Sequence, residues 1–212
     1  MKITKFQHSC LLVEMPEPFN RTTLFDPGVM SEAVLDVSKL QYLDDIVITH
    51  VHADHVSVDL LKKLVAAFPE ARITAPTEVV TMLAEHGIQA SNSQSEGIVF
   101  FESPHENVQP LFPEPEQHGI HYLQRLTHPG DSHSFTQTMP ILALPIAGPW
   151  ASLITGLNLA IHLRPQYVLP IHDWHLNDQA RSQLYGIMAE AFQKEHITFV
   201  PLVTAEPVVI DV

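Results

Sequence analysis

A chain of 212 residues is long enough for one well-buried domain and too short for two ordinary ones. With 24 acidic against 11 basic residues the formal charge is −13, which disfavours polyanionic partners, so neither a nuclease nor a binder of anionic membranes is expected. Cys10 is the only cysteine, which excludes an internal disulfide and removes any need for an oxidising compartment.

Met1-Lys2-Ile3-Thr4-Lys5-Phe6 alternates polar and apolar residues as a strand does and lacks the long apolar core of a signal peptide, so a cytoplasmic protein is expected. Cys10 to Glu14 is a second strand, with the thiol of Cys10 read as buried and inert. Thr22 to Phe25 is a third, closed by Asp26-Pro27-Gly28, so the N-terminal segment reads as a strand meander. Asp45 to Ile48 is a buried strand. Ser57 is placed to cap a helix that shows Leu60, Leu61, Leu64 and Phe68 on one face. Arg72-Ile73-Thr74 is a short strand, and Pro76-Thr77-Glu78 opens a helix that stops at Gly87.

After residue 97 strands return at Ile98 to Glu102, Ile120 to Leu126 and Ile141 to Leu144. The acidic, proline-rich loop from 106 to 118 between the first two cannot be sheet interior and is a candidate specificity loop. Residues 132 to 163 carry no Asp, Glu, Lys or Arg, but Pro140, Pro145, Gly148 and Pro149 interrupt them, so a strand, a turn and a core helix are expected and no membrane span. Tyr167 to Ile171 is a buried strand, Ala180, Leu184, Met188 and Ala191 stripe a last helix, and strands are expected at 197 to 202 and 207 to 211. No repeat, low-complexity tract or linker divides the chain, so residues 1–212 read as a single domain, and the pattern alone gives α/β or α+β.

Chemistry concentrates at Thr49-His50-Val51-His52-Ala53-Asp54-His55, directly after the Asp45 to Ile48 run. His50 and His52, two apart on an extended segment, can grip one ion. Asp54 and His55 are expected at the start of the next helix, turned toward a second place, so the spacing points to two neighbouring metals.

This His-x-His-x-Asp-His run resembles the signature of the metallo-β-lactamase superfamily. The resemblance implies an α+β fold built as a four-layer αββα sandwich, with two divalent ions (zinc, or else manganese or iron) held with the help of a later His, Asp and His. In chain order these fall on His105, with His118 and His121 as alternatives for it; on Asp131 in Pro129-Gly130-Asp131-Ser132, similar to the family's Gly-Asp-Thr turn; and on His172 in Pro170-Ile171-His172. Gln7-His8-Ser9 and Pro145-Ile146-Ala147-Gly148 are similar to elements of a subset of small bacterial hydrolases akin to L-ascorbate 6-phosphate lactonase and N-acylphosphatidylethanolamine phospholipase D. In that subset His8 approaches the site. Asp26 is read as a carboxylate that supports a ligand without itself touching the metal.

The implied activity is hydrolysis of an ester, lactone or phosphodiester in a small soluble substrate, by a hydroxide generated at the dinuclear site and oriented by Asp54. His8, His175 or a metal-bound water would protonate the leaving group. The chain has no Gly-x-Ser-x-Gly elbow and its cysteine lies in a strand, so covalent catalysis is not the natural reading. An iron-containing redox member of the same fold and a non-catalytic metal-bound scaffold are the alternatives. The sequence carries no indication of oligomeric state.

Overall fold

The computed structural model describes residues 1–211 as two compact units. The first unit comprises Met1–Gln94, Pro115–Gln117 and the stretch from Leu202 onward. In it Lys2–Gln7 (β1), Cys10–Met15 (β2) and Arg21–Phe25 (β3) form the expected antiparallel meander, with Thr4 opposite Leu12 and Leu12 opposite Leu24. Asp45–Val47 (β4) joins β3 in parallel, and Arg72–Thr74 (β5) joins β4 in parallel. Pro207–Val209 closes the sheet beside β1.

Strand direction decides where the chemistry emerges. Two antiparallel pairings return β3 to the direction of β1, and β4 and β5 follow it, so the C-terminal ends of all four open at one edge of the sheet. Loops leaving the carboxyl ends of parallel strands are where mixed and parallel sheets place ligands. His8, Asp26 and the His50 to His55 run all lie there.

Val58–Ala67 (α1) begins where Ser57 Oγ accepts the Leu60 N–H at 3.1 Å, the cap anticipated from its residue type. Its Leu60, Leu61 and Leu64 share a core with Val79 and Leu83 of Thr77–Glu85 (α2) and with Leu12, Leu24, Ile46 and Ile73 of the sheet. Leu61 is fully buried, so its truncation to alanine would cost about 2–5 kcal/mol. Asp45, equally buried, takes Arg21 of β3 and Arg72 of β5 on its carboxylate, which ties three adjacent strands together. Two 3₁₀ turns, Val29–Ser31 and Val37–Lys39, were not legible in the pattern.

The second unit, Ser95–Glu114 with His118–Pro201, is built on the same plan. Its strands are Ile98–Phe101 (β6), Gly119–Tyr122 (β7), Leu126–His128 (β8), Ile141–Pro145 (β9), Tyr167–Ile171 (β10) and Thr198–Phe199 (β11). They pair in sequence order as one sheet, antiparallel from β6 through β8 and parallel from β8 to β11. Here β6, β8, β9, β10 and β11 therefore run the same way, and His105, Asp131, Gly148 and His172 follow the C-terminal ends of the first four.

Leu153–Leu163 (α3), opened by a Ser152/Thr155 capping box, and Asp178–Lys194 (α4), capped by Asn177, bury Leu157, Ala160, Met188 and Phe192 with Leu142, Leu144 and Val168 of the sheet. Pro207–Val209, beside β1 in the first unit, is β12. Two expectations need correction. The run Ile120 to Leu126 is not one strand, because Leu123 and Gln124 adopt φ of 48° and 54° and turn the chain back between β7 and β8. The expected strand at 197 to 202 shortens to Thr198–Phe199, where Pro201 has no N–H to extend the ladder. Among the described residues no helix is long and apolar enough to cross a membrane.

Candidate metal centre

In the first unit the two-residue turn between β1 and β2 carries His8 at φ 50°, and its Nε2 stands 3.0 Å from Asp54 Oδ2. The donor atoms of His8, Asp54 and His55 all lie within 4.8 Å of one another. Beside them His50 Nε2 is 3.1 Å from His52 Nδ1, and the His50 and His55 rings are 4.0 Å apart. Asp26, fully buried at φ 44°, organises the group from behind. It accepts the Thr49 N–H and hydroxyl, both at 2.8 Å, and the Nδ1–H of His55 at 2.7 Å. Thr49 Oγ1 in turn lies 3.1 Å from His50 Nδ1.

The approach of these loops is close enough to require glycine. A Cβ on Gly28 would fall 1.9 Å from the carbonyl oxygen of Asp54, while Val29 donates to Ala53 O at 2.8 Å and Ser57 to Pro27 O at 2.9 Å. Backbone bonds thus clamp the Asp26-Pro27-Gly28 turn onto the histidine loop.

In the second unit Asp131 follows Gly130, whose φ of 66° suits glycine, and lies between two imidazoles. Its Oδ2 is 2.9 Å from His172 Nε2 and 3.7 Å from His105 Nε2. His105 Nδ1 bonds the carbonyl of Glu106 at 2.6 Å, and His172 Nδ1 bonds the carbonyl of Ala147. His172 sits at φ 59°, so it joins His8 and Asp26 as a non-glycine residue in the left-handed region at a strand end. Each such residue costs roughly 1–2 kcal/mol that its neighbours must offset, a pattern that gathers at functional sites.

These donors suit a divalent ion. Imidazole nitrogens bound tetrahedrally at zinc distances stand about 3.3 Å apart; the His50–His52 and Asp131–His172 separations bracket that value from below and the Asp131–His105 separation from above. In His55, His105 and His172 an oxygen acceptor fixes the proton on Nδ1, which leaves Nε2 as the lone-pair donor. Neutral imidazole and carboxylate together serve zinc, manganese or iron.

A model of the Beta-lactamase superfamily domain matches residues 2–172 of this sequence. The chain belongs to the metallo-β-lactamase superfamily. It is 30% identical over 204 residues to Protein Rv0786c of Mycobacterium tuberculosis, a match spanning 90% of this chain and 92% of that one. Igni18, a metallo hydrolase from the archaeon Ignicoccus hospitalis, is similar in structure with a TM-score of 0.74 at 18% identity, covering 100% of this chain and 98% of its own. A protein of Parabacteroides distasonis, provisionally named a metal-dependent hydrolase, gives 0.70 at 18% identity over 94% of this chain and 91% of that one. The likeness extends over the whole chain and gives the α+β metallo-β-lactamase fold anticipated from the His50 to His55 run.

Within this metallo-β-lactamase fold the alternatives to His105 serve the sheet instead: His118 stacks on Phe100 at 4.6 Å, and His121 meets Phe101 edge-on at 4.2 Å, where burial holds its pKa below the usual histidine range. His175 is exposed, with its ring 6.3 Å from that of His172. Partial desolvation of the ring lowers its pKa. Three residues of the second unit escaped the sequence reading. Trp150, half-buried, packs its indole 5.2 Å from the His172 ring, 6.2 Å from His105 and 5.5 Å from His133. Glu106 and His133 join the loops around it. Only their nearness in sequence to His105 and Asp131 hinted at this.

Proposed function

We propose that this metal-dependent hydrolase of the metallo-β-lactamase superfamily holds two divalent ions, most simply zinc, and cleaves an ester, lactone or phosphodiester in a small soluble substrate. In this reading His50, His52 and His105 would hold one ion, and Asp54, His55 and His172 the other, with Asp131 as a further carboxylate ligand. Residues 1–212 then act as one catalytic domain. The observation that carries the reading is the shared anchoring of His55, His105 and His172, each bonded through Nδ1 to an oxygen so that Nε2 is offered as a ligand atom.

Bound ions would acidify a water molecule and polarise the substrate's carbonyl or phosphoryl oxygen. Asp54 accepts a hydrogen bond from the attacking water and aims it, and His8, by donating Nε2–H to Asp54 Oδ2, fixes that carboxylate's rotamer. Trp150 shields the imidazoles of His105 and His172 from bulk water on its side. The negative surface favours neutral or weakly anionic substrates over polymers of phosphate.

The test is metal analysis of the freshly isolated protein, followed by turnover of a panel of lactones, esters and phosphodiesters. About two equivalents of zinc or manganese with hydrolysis are expected. A protein that takes up no ion even after reconstitution refutes the reading, and one rich in iron that consumes oxygen moves it to redox chemistry.

A further inference from the structure

Glu106 makes more connections than a loop residue needs. Its N–H donates to the Asp131 carbonyl at 2.9 Å, and its own carbonyl accepts His105 Nδ1–H at 2.6 Å. Its Oε1 accepts the His133 N–H at 2.9 Å and the Ser134 hydroxyl at 2.7 Å. Backbone and side chain of one residue therefore staple the loop after β6 to the loop after β8.

The staple continues through His133. Its Nε2–H donates to the Pro145 carbonyl at 2.8 Å, at the end of β9, while its Nδ1 meets Thr155 Oγ1 of the α3 capping box at 3.0 Å. Two residues beyond Pro145, the Ala147 carbonyl holds His172 Nδ1. Three segments that present His105, Asp131 and His172 are thus joined by one run of hydrogen bonds with Glu106 at its head. No pair of these segments is adjacent in sequence, so beyond the pairing of the strands they leave, their relative spacing depends on such ties.

We infer that Glu106 is a positioning residue: it sets the separation of His105 from Asp131 and so tunes how tightly the second unit's donors grip an ion. The inference rests on the dinuclear reading above. Its chemistry requires an acceptor at Oε1 that can take two donors at once, which glutamate and the amide oxygen of glutamine supply and alanine does not. Residues that orient ligands from behind in this way typically govern metal affinity by tenfold to a hundredfold.

The full chain, stripped with a chelator, is titrated calorimetrically with zinc as wild type, Glu106→Ala, Glu106→Gln and Ser134→Ala, with circular dichroism as a check on folding. Glu106→Ala is expected to bind at least one ion roughly 10–100-fold more weakly. Glu106→Gln should stay within a few-fold of wild type, and Ser134→Ala, which removes one of the two donors to Oε1, should fall between. Should Glu106→Ala fail to fold, the glutamine and serine variants alone decide the matter by the same ordering. Wild-type affinity in Glu106→Ala, or a glutamine variant as weak as the alanine one, overturns the role of Glu106 and leaves the dinuclear reading standing. A wild-type protein that binds no zinc brings down both.

Discussion

The imidazole of His8 and the carboxylate of Asp54, 46 positions apart in sequence, meet at 3.0 Å because β1 ends in a left-handed turn at the sheet edge where β4 releases the histidine loop. His8 is nearly buried, whereas the Asp54 side chain keeps 28% of its surface exposed. The carboxylate thus has one oxygen held by the protein and a face open to solvent.

That division of roles predicts an ordered pair of variants. Asp54→Asn keeps the shape but weakens both ligation and the acceptor for the attacking water, so kcat should drop by about 10²–10⁴-fold with the circular dichroism spectrum unchanged. His8→Ala leaves the carboxylate in place without its orienting donor, and a loss of about 10–100-fold is expected. Equal losses in the two variants would mean that His8 touches the metal or the substrate directly.

Asp26 is the most heavily committed buried carboxylate of the first unit's site. Its replacement by alanine leaves the Thr49 N–H, the Thr49 hydroxyl and His55 Nδ1–H without their acceptor in a fully buried position. Each orphaned donor costs about 1–3 kcal/mol, with incomplete additivity, so Asp26→Ala should lose about 3–5 kcal/mol in urea denaturation. Asparagine tolerates the left-handed backbone at this position and keeps one acceptor, so Asp26→Asn should lose distinctly less. A loss under about 1 kcal/mol in the alanine variant would show that water replaces the carboxylate there.

What could be read in the sequence follows from how local each signal is. The His50 to His55 run declares itself because its ligands are neighbours in the chain, and Ser57 declares α1 because a cap acts within three residues. His105, Asp131 and His172 are single residues after strands, and only the resemblance to a family singled them out. Leu123 and Gln124 turn the chain without glycine or asparagine, so nothing in their residue types marked the break between β7 and β8. Glu106, His133 and Trp150 owe their roles to β6, β8, β9 and β10 running the same way in one sheet, a tertiary fact with no periodicity. The same holds for Asp45, whose two arginine partners come from the strands on either side.

Gly28 separates crowding from charge. Its backbone is extended, at φ −80° and ψ 174°, so any residue could adopt it, yet an added Cβ would lie 1.9 Å from Asp54 O and 2.6 Å from His55 N. Neither neighbour is a flexible side chain. Gly28→Ala should therefore push the histidine loop away from Asp26, costing about 1–3 kcal/mol of stability and lowering zinc affinity together. A variant with reduced stability but wild-type zinc affinity would show that the loop yields elsewhere.

Tyr185 on α4 donates its hydroxyl to Asp173 Oδ2 at 2.6 Å, beside Arg181 Nε at 3.2 Å, and so anchors the residue that follows His172. Burial first, and then the negative charge of Asp173, raise the phenol's pKa above its ordinary value. The sign follows directly: above about pH 10 the unfolded chain gives up this proton while the folded chain keeps it, so the native state binds more protons and stability falls as pH rises. Below that pH the contribution is fully present. Wild-type protein should accordingly lose up to about 1.4 kcal/mol per pH unit from this group between pH 10 and 11, and Tyr185→Phe should lack that component while being less stable at pH 7 by about 1.5–3 kcal/mol. Urea denaturation of both proteins at pH 7, 9, 10 and 11 checks it, and parallel pH profiles would show that Tyr185 does not carry the alkaline loss.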